Sequence, residues 1–174
     1  MIDFHAHLGY VIHGFDPLTV GELLAFMDAH GIEKSVVLPL VAPQEEDYSY
    51  TTEQALADCL QHPDRLIPFA NMDPHRGTND GHHDFFPVPA RYADMGCKGF
   101  GEILANLTTN DRRTKGIYRA CGKLGFSVVF GFRRTTTGVT DPWGTPYIEE
   151  CLREFPETVF VGHGPAWGRR YRRT

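Results

Sequence analysis

The chain has 174 residues, of which 41% are hydrophobic, and its formal net charge at pH 7 is −5. This length is typical of one domain, and the apolar content is enough for a sizeable core, which argues against a disordered chain. The acidic balance argues against nucleic-acid and membrane-surface partners, and no apolar run has transmembrane length.

The cysteines Cys59, Cys97, Cys121 and Cys151 lie far apart, without the CxxC spacing of a metal or redox motif. Three of them fall on predicted helices, as expected of small core residues with free thiols. No basic segment of a signal peptide precedes the first apolar run. The sequence therefore predicts a cytoplasmic protein.

Short apolar runs alternate with amphipathic stretches along the chain. The first run, Ile2 to His7, precedes a helix in LTVGELLAFMDAHG, where Thr19 and Glu22 form a capping box and Gly31 suits the helix end. In the helix YTTEQALADCLQHP, Thr51 and Gln54 are the candidates for a second capping box. The other predicted elements are, in chain order, the strand SVVLPL, that helix, the strand RLIPFANM, the helix FPVPARYADMG, the strand CKGFGEIL, the helix NDRRTKGIYRACGKLG, the strand FSVVFGF, the helix TPYIEECLREFP and the strand TVFVGHG.

Five strand–helix units and a sixth strand imply a parallel sheet with right-handed crossovers. An open doubly wound sheet and a TIM-type (β/α) barrel both fit this alternation. The first strand leads into HLGYVIHGF instead of the glycine-rich phosphate loop that many open sheets carry there. A barrel normally has eight units and about 250 residues. We therefore predict an α/β fold with one domain over residues 1–174, an incomplete TIM-type barrel.

Two histidines in the first strand are the first candidates for a metal site. Because side chains alternate along a strand, Asp3, His5 and His7 are expected on one face. Phe4 and Ala6 are expected on the other. Two imidazoles on one face suit neighbouring positions around Zn²⁺, and Asp3 is placed to hold a ligand from behind or to line the barrel floor. The alternative is a pair of core histidines bonded to the backbone.

Further polar residues stand at or just beyond the ends of strands, which meet at one rim of a parallel sheet. His163 follows TVFV between two glycines and is a candidate metal ligand. Glu102 ends the fourth strand, where it can bind metal or substrate; the alternative is a carboxylate that is paired with Lys98 or solvated. Asp73, at the end of the third strand, and His13, in the loop after the first, are candidates for substrate contact.

The segments IDFHAHLG, GCKGFGEIL and FPETVFVGHG, in this order, resemble the amidohydrolase superfamily, above all its amidohydrolase-related branch of metal-dependent TIM-barrel hydrolases and decarboxylases. The resemblance covers residues 1–167. It implies a divalent metal, most commonly zinc, held by His5, His7 and His163. It also implies a small-molecule substrate whose carbonyl-type carbon is attacked by metal-activated water, with decarboxylation as the alternative. Among the carboxylates of this sequence, Glu102 is the candidate for a catalytic role.

Two features depart from the pattern of that family. Gly131 stands after FSVVF, where the family places a strand-five histidine. The sequence ends in WGRRYRRT soon after the sixth strand, so we expect a barrel truncated before strands seven and eight and the aspartate of strand eight. A catalytically impaired, metal-binding chain that self-associates through exposed sheet edges is a second hypothesis. A metal-dependent phosphoesterase is a third.

Overall fold

A computed structural model describes residues 1–10, 16–41, 50–78, 82–132 and 138–164, in which strands and helices alternate. No helix within these ranges is both long and apolar enough to cross a membrane. The elements are β1 (Ile2–Ala6), α1 (Val20–His30), β2 (Lys34–Val37), α2 (Thr52–Cys59), β3 (Leu66–Pro68), α3 (Pro87–Asp94), β4 (Gly99–Ile103), α4 (Arg112–Leu124), β5 (Ser127–Gly131), α5 (Pro146–Glu154) and β6 (Val159–His163).

The first two helices begin with capping boxes. The hydroxyl of Thr19 accepts the backbone N–H of Glu22, and the Glu22 carboxylate accepts the backbone N–H of Thr19 at 2.9 Å. Thr51 and Gln54 repeat this exchange at the start of α2. Helix α1 ends at Gly31, whose φ of 65° lies in the left-handed region that glycine adopts without strain. Both capping predictions are confirmed.

All six strands are parallel and follow one another in chain order. The neighbours β1, β2 and β3 form one three-stranded group, and β4, β5 and β6 form a second. The two groups meet at a parallel bridge between Ala70 and Phe100, where the Ala70 N–H donates to the Gly99 carbonyl at 2.9 Å. This order, with a helix after each of the first five strands, is the wall of a (β/α) barrel. The prediction of an incomplete TIM-type barrel is confirmed.

Buried apolar side chains cover both faces of this wall. Val37 packs outwards into a cluster with Leu23 of α1 and Ala55 of α2. Its neighbour Val36 packs inwards with Phe69 and Val129. Successive residues of β2 thus belong to different cores, as the period of a strand requires.

The four cysteines are buried and have free thiols, as expected of small core residues. Burial raises the pKa of the Cys59 thiol to about 12, and it does the same for Cys97 and Cys151. These thiols are protonated near neutral pH, so they are packing groups and poor nucleophiles.

Candidate metal centre

The carboxyl ends of β1, β4 and β6 bring four titratable side chains together on the inner face of the wall. Nε2 of His5 and Nε2 of His7 each lie 3.2 Å from Oε2 of Glu102. Nδ1 of His163 lies 3.0 Å from Oε1 of the same carboxylate. Residues up to 158 positions apart in the chain thus share one rim, because parallel strands end on the same side of the sheet.

A register shift in β1 decides which side chains reach this rim. The strands β1 and β2 pair in register up to Asp3 and Ser35, and β1 then carries one extra residue before pairing resumes. The prediction that Asp3 shares a face with His5 and His7 is therefore wrong. The Asp3 carboxylate accepts the Ser35 hydroxyl at 2.8 Å and the backbone N–H of His5 at 3.1 Å. Asp3 supports His5 through the backbone and not through the imidazole ring.

The same shift changes the surroundings of Phe4. Its ring makes an edge contact with Phe69 of the inner cluster, with 5.7 Å between ring centroids. The prediction that Phe4 faces away from the histidines is wrong as well, because an extra residue places two successive side chains on one side of a strand. Ala6 packs in the outer cluster as predicted.

Strand β4 has a matching irregularity at Glu102. Phe100 pairs with Val128 and Ile103 pairs with Phe130, so β4 has one residue more than β5 between these pairs. Bulges of this kind redirect a side chain locally. Here the redirected carboxylate is buried, with Glu102 only 3% exposed.

Gly131 of β5 leaves the space that this carboxylate occupies. A Cβ at Gly131 would lie 2.2 Å from Oε1 of Glu102 and 2.8 Å from a methyl carbon of Leu104. The family resemblance predicts a histidine at this position. In the structure, the Glu102 side chain fills the space in front of the glycine.

Charge at the site is concentrated on Glu102. Burial alone would raise the pKa of this carboxyl, but hydrogen bonds from His163, His5 and His7 outweigh burial and hold the pKa well below its usual range. The alternative pairing of Glu102 with Lys98 is not found among the described contacts. Glu102 is therefore an anion throughout the physiological pH range.

The backbone of Leu38 orients the ring of His7. Nδ1 of His7 lies 2.9 Å from the Leu38 carbonyl oxygen, which can only accept, so Nδ1 carries a proton. In the neutral ring, Nε2 then presents a lone pair to Oε2 of Glu102, which is also an acceptor. Two acceptor atoms at this distance repel each other. The contact is favourable if the ring is an imidazolium, or if a cation is bound by both atoms.

Asn71 is a supporting residue that sequence reasoning missed. Its side-chain amide is buried and donates to the carbonyl of Pro39 at 2.9 Å and to the backbone carbonyl of Glu102 at 2.8 Å. It thereby ties the segments that follow β2 and β3 to the backbone of the carboxylate. A polar residue directly after the apolar run LIPFA was the available signal.

His5, His7 and Glu102 form the tightest set, with three ligand atoms that all lie within 4.8 Å of one another. His163 joins through the second carboxylate oxygen and stacks on His5, with 3.7 Å between ring centroids. The side chain of His163 is 43% exposed, whereas that of His7 is 12% exposed. The cluster therefore has a buried side at Glu102 and an open side at His163.

The two residues predicted to contact substrate have different outcomes. Asp73 accepts the ring Nδ1 of His75 at 2.8 Å and its backbone N–H at 2.9 Å. Among the described hydrogen bonds, none joins Asp73 to the cluster around Glu102. His13 lies outside the described residues.

No protein-family model matches the chain, and no curated protein matches it. Solved structures do match. An uncharacterised TIM-barrel protein from Bordetella bronchiseptica aligns with a TM-score of 0.60 and 17% identity over 92% of this chain and 65% of that protein. A probable 2-pyrone-4,6-dicarboxylic acid hydrolase from Acinetobacter baumannii aligns with a TM-score of 0.53 and 17% identity, over 94% of this chain and 57% of the other.

The 2,6-dihydroxybenzoate decarboxylase from Rhizobium also aligns, with a TM-score of 0.53 and 14% identity over 92% of this chain and 65% of the enzyme. The chain therefore spans less than two thirds of the length of these three proteins. At such identities the likeness establishes a shared TIM-barrel fold. It leaves the reaction to be argued from the site.

Proposed function

We propose that this chain is a metal-dependent hydrolase of the amidohydrolase type, which holds a divalent ion, most commonly zinc, with His5, His7 and Glu102. The observation that carries the proposal is the convergence of their three ligand atoms within 4.8 Å of one another. Two imidazole nitrogens and a carboxylate oxygen are a donor set that zinc accepts in hydrolases.

The surroundings of these atoms fit a cation. Glu102 is a buried anion, and burying a charge is costly unless it is paired. The Leu38 carbonyl fixes the His7 tautomer that presents Nε2, which is the arrangement expected of a metal-binding histidine. Three protein ligands leave a coordination position for water or substrate, as catalytic zinc sites require.

A bound zinc ion supplies Lewis acidity and activates water near neutral pH. Glu102, with its lowered pKa, is a weak base and serves as a ligand. We assign proton transfer to His163, because its ring is more exposed than those of His5 and His7. Its Nδ1 also lies 3.0 Å from the Glu102 carboxylate. The substrate is a small molecule with a carbonyl-type carbon.

Metal content tests the site directly. Purified His5→Ala and Glu102→Gln proteins should bind zinc at least about tenfold more weakly than the parent, since each loses a ligand atom. His30→Ala is the matched control, because His30 is exposed at the end of α1 and its contacts within the described residues are with Phe26, through the carbonyl and the ring. Equal zinc stoichiometry and affinity in all four proteins would refute the proposed site.

The names of the fold neighbours include a hydrolase and a decarboxylase, so the reaction needs its own assay. Zinc-loaded protein should hydrolyse a simple aryl lactone such as dihydrocoumarin, and His163→Ala should lower kcat more than it raises KM. Release of carbon dioxide from 2,6-dihydroxybenzoate, without lactone hydrolysis, would show that the protein is a decarboxylase and not a hydrolase.

A further inference from the structure

A second candidate binding site lies at the opposite end of the barrel wall. A cavity of about 440 Å³ lies at the amino ends of β2 and β4 and beside the three residues of β3 between them. Its walls are mainly apolar and include Leu60, Pro63 and Ile67. The volume is within the range of about 300–1,000 Å³ that small-molecule sites occupy.

Two lysines line this apolar cavity. Lys34 is the first residue of β2 and is half-buried, and Lys98 directly precedes β4. Within the described ranges neither ammonium group makes a hydrogen bond or an ion pair. By contrast, Lys115 on α4 is paired with two glutamates of α5. The cavity therefore combines an apolar wall with positive charge that the neighbouring residues leave uncompensated.

We propose that this cavity binds a small amphipathic carboxylate. The aliphatic part would lie against Leu60 and Ile67, where its burial removes apolar surface from water. The carboxylate would lie between the ammonium groups of Lys34 and Lys98, which can each donate a charge-assisted hydrogen bond. This site is separate from the rim that carries Glu102, because the cavity borders the amino ends of the strands.

Octanoate is a suitable probe, with octan-1-ol as an uncharged counterpart. Both are titrated into zinc-free protein with EDTA present, so that binding of the carboxylate to a metal is excluded. We expect octanoate to cause saturable shifts of the backbone ¹H–¹⁵N signals of Ile67 and Gly96, and octan-1-ol to bind several-fold more weakly. The Lys34→Met/Lys98→Met double variant should bind octanoate about tenfold more weakly, since one exposed ion pair contributes about two- to fivefold. Lys123→Met, an exposed lysine of α4 outside the cavity, is the control.

A second pair of variants tests the effect of a negative charge beside the two lysines without disturbing the core. Leu60 lines the cavity and is 57% exposed, so polar residues are tolerated there. Leu60→Glu places a carboxylate beside the lysines and should abolish the preference for octanoate over octan-1-ol. Leu60→Gln adds no charge and should retain that preference.

Equal affinity for octanoate and octan-1-ol, or octanoate binding that the lysine and Leu60→Glu changes leave intact, would overturn the proposal, as would the absence of saturable binding. His5→Ala should leave octanoate binding unchanged. The proposal for the cavity can therefore be refuted without affecting the proposal for the metal site, and the reverse also holds.

Discussion

Nitrogen atoms of three imidazoles lie 3.0 to 3.2 Å from the Glu102 carboxylate, and this arrangement makes stability depend on pH. Burial would raise the pKa of Glu102, but the contacts with the three rings outweigh burial, so its pKa in the folded protein is below the usual value. A carboxyl with a lowered folded pKa stabilises the protein above its unfolded pKa of about 4.3, and this contribution is lost as the pH falls.

We therefore expect the unfolding free energy of the zinc-free protein to decrease below about pH 5 more steeply than that of Glu102→Gln. Urea denaturation of both proteins at pH 7, 5 and 4 measures the two profiles. The difference between them should shrink as the pH falls. Parallel profiles would show that Glu102 does not have a lowered pKa.

Gly131 is the residue whose missing side chain makes room for the carboxylate. Gly131→Ala places a Cβ 2.2 Å from Oε1 of Glu102 and forces the carboxylate to move. Because displacing or misorienting a ligand group costs about 10–100-fold in metal affinity, we expect zinc binding to weaken by that factor. Competition with a chelating dye measures the affinity.

Gly21→Ala is the control for the added methyl group. A Cβ at Gly21, on α1, meets no atom within 4 Å. This variant should gain up to about 1 kcal/mol of stability from helix propensity and keep the zinc affinity of the parent. Unchanged zinc affinity in Gly131→Ala would contradict the prediction, because it would mean that the Glu102 carboxylate moves aside and still binds the metal equally well.

At the scale of the element, the bulge in β1 is held by Asp3. Its carboxylate bonds the backbone N–H of His5 and the hydroxyl of buried Ser35. Asp3→Ala removes both acceptors and should lower the unfolding free energy by about 1–3 kcal/mol and weaken zinc binding by loosening His5. Asp3→Asn keeps an acceptor for the backbone N–H of His5, so it should lose less unfolding free energy and less zinc affinity than Asp3→Ala. Thermal unfolding and zinc titration compare the two variants. If Asp3→Asn loses as much stability and zinc affinity as Asp3→Ala, the contact with His5 has no role.

The sequence predicts elements whose causes are local. The capping boxes at Thr19 and Thr51 involve residues three positions apart, so the pattern alone identifies them. The strand ends also follow from the sequence, and with them the meeting of His5, His7 and Glu102 on one rim.

The register shifts could not be predicted in this way. Whether Asp3 lies beside the histidines depends on how β1 pairs with β2, which is a contact between segments more than 30 residues apart. Period-two reasoning assumes a regular strand, and a bulge breaks that period within a single residue. The role of Gly131 has the same origin, since the side chain it accommodates belongs to another strand.

At the scale of the whole molecule, the described wall is open. Strand β1 lies at the outer edge of one three-stranded group, and β6 lies at the outer edge of the other. Apolar side chains stand on these strands, with Ile2 56% exposed and Val159 62% exposed. Outer strands with free N–H and carbonyl groups are templates for pairing with another chain.

We therefore propose that copies of this chain associate through these edges, and we expect the sedimentation coefficient to rise with protein concentration. Ile2→Lys/Val159→Lys should shift the protein towards the monomer, because charged side chains on an edge strand oppose pairing. Leu152→Lys is the matched control, since Leu152 is 50% exposed on α5, away from both edges. If the parent sediments as a monomer at every concentration, the edges are not self-complementary. If Leu152→Lys dissociates the assembly as strongly as the edge variant, the interface lies on the helical face instead, because only a contact there would be disturbed by a charge on α5.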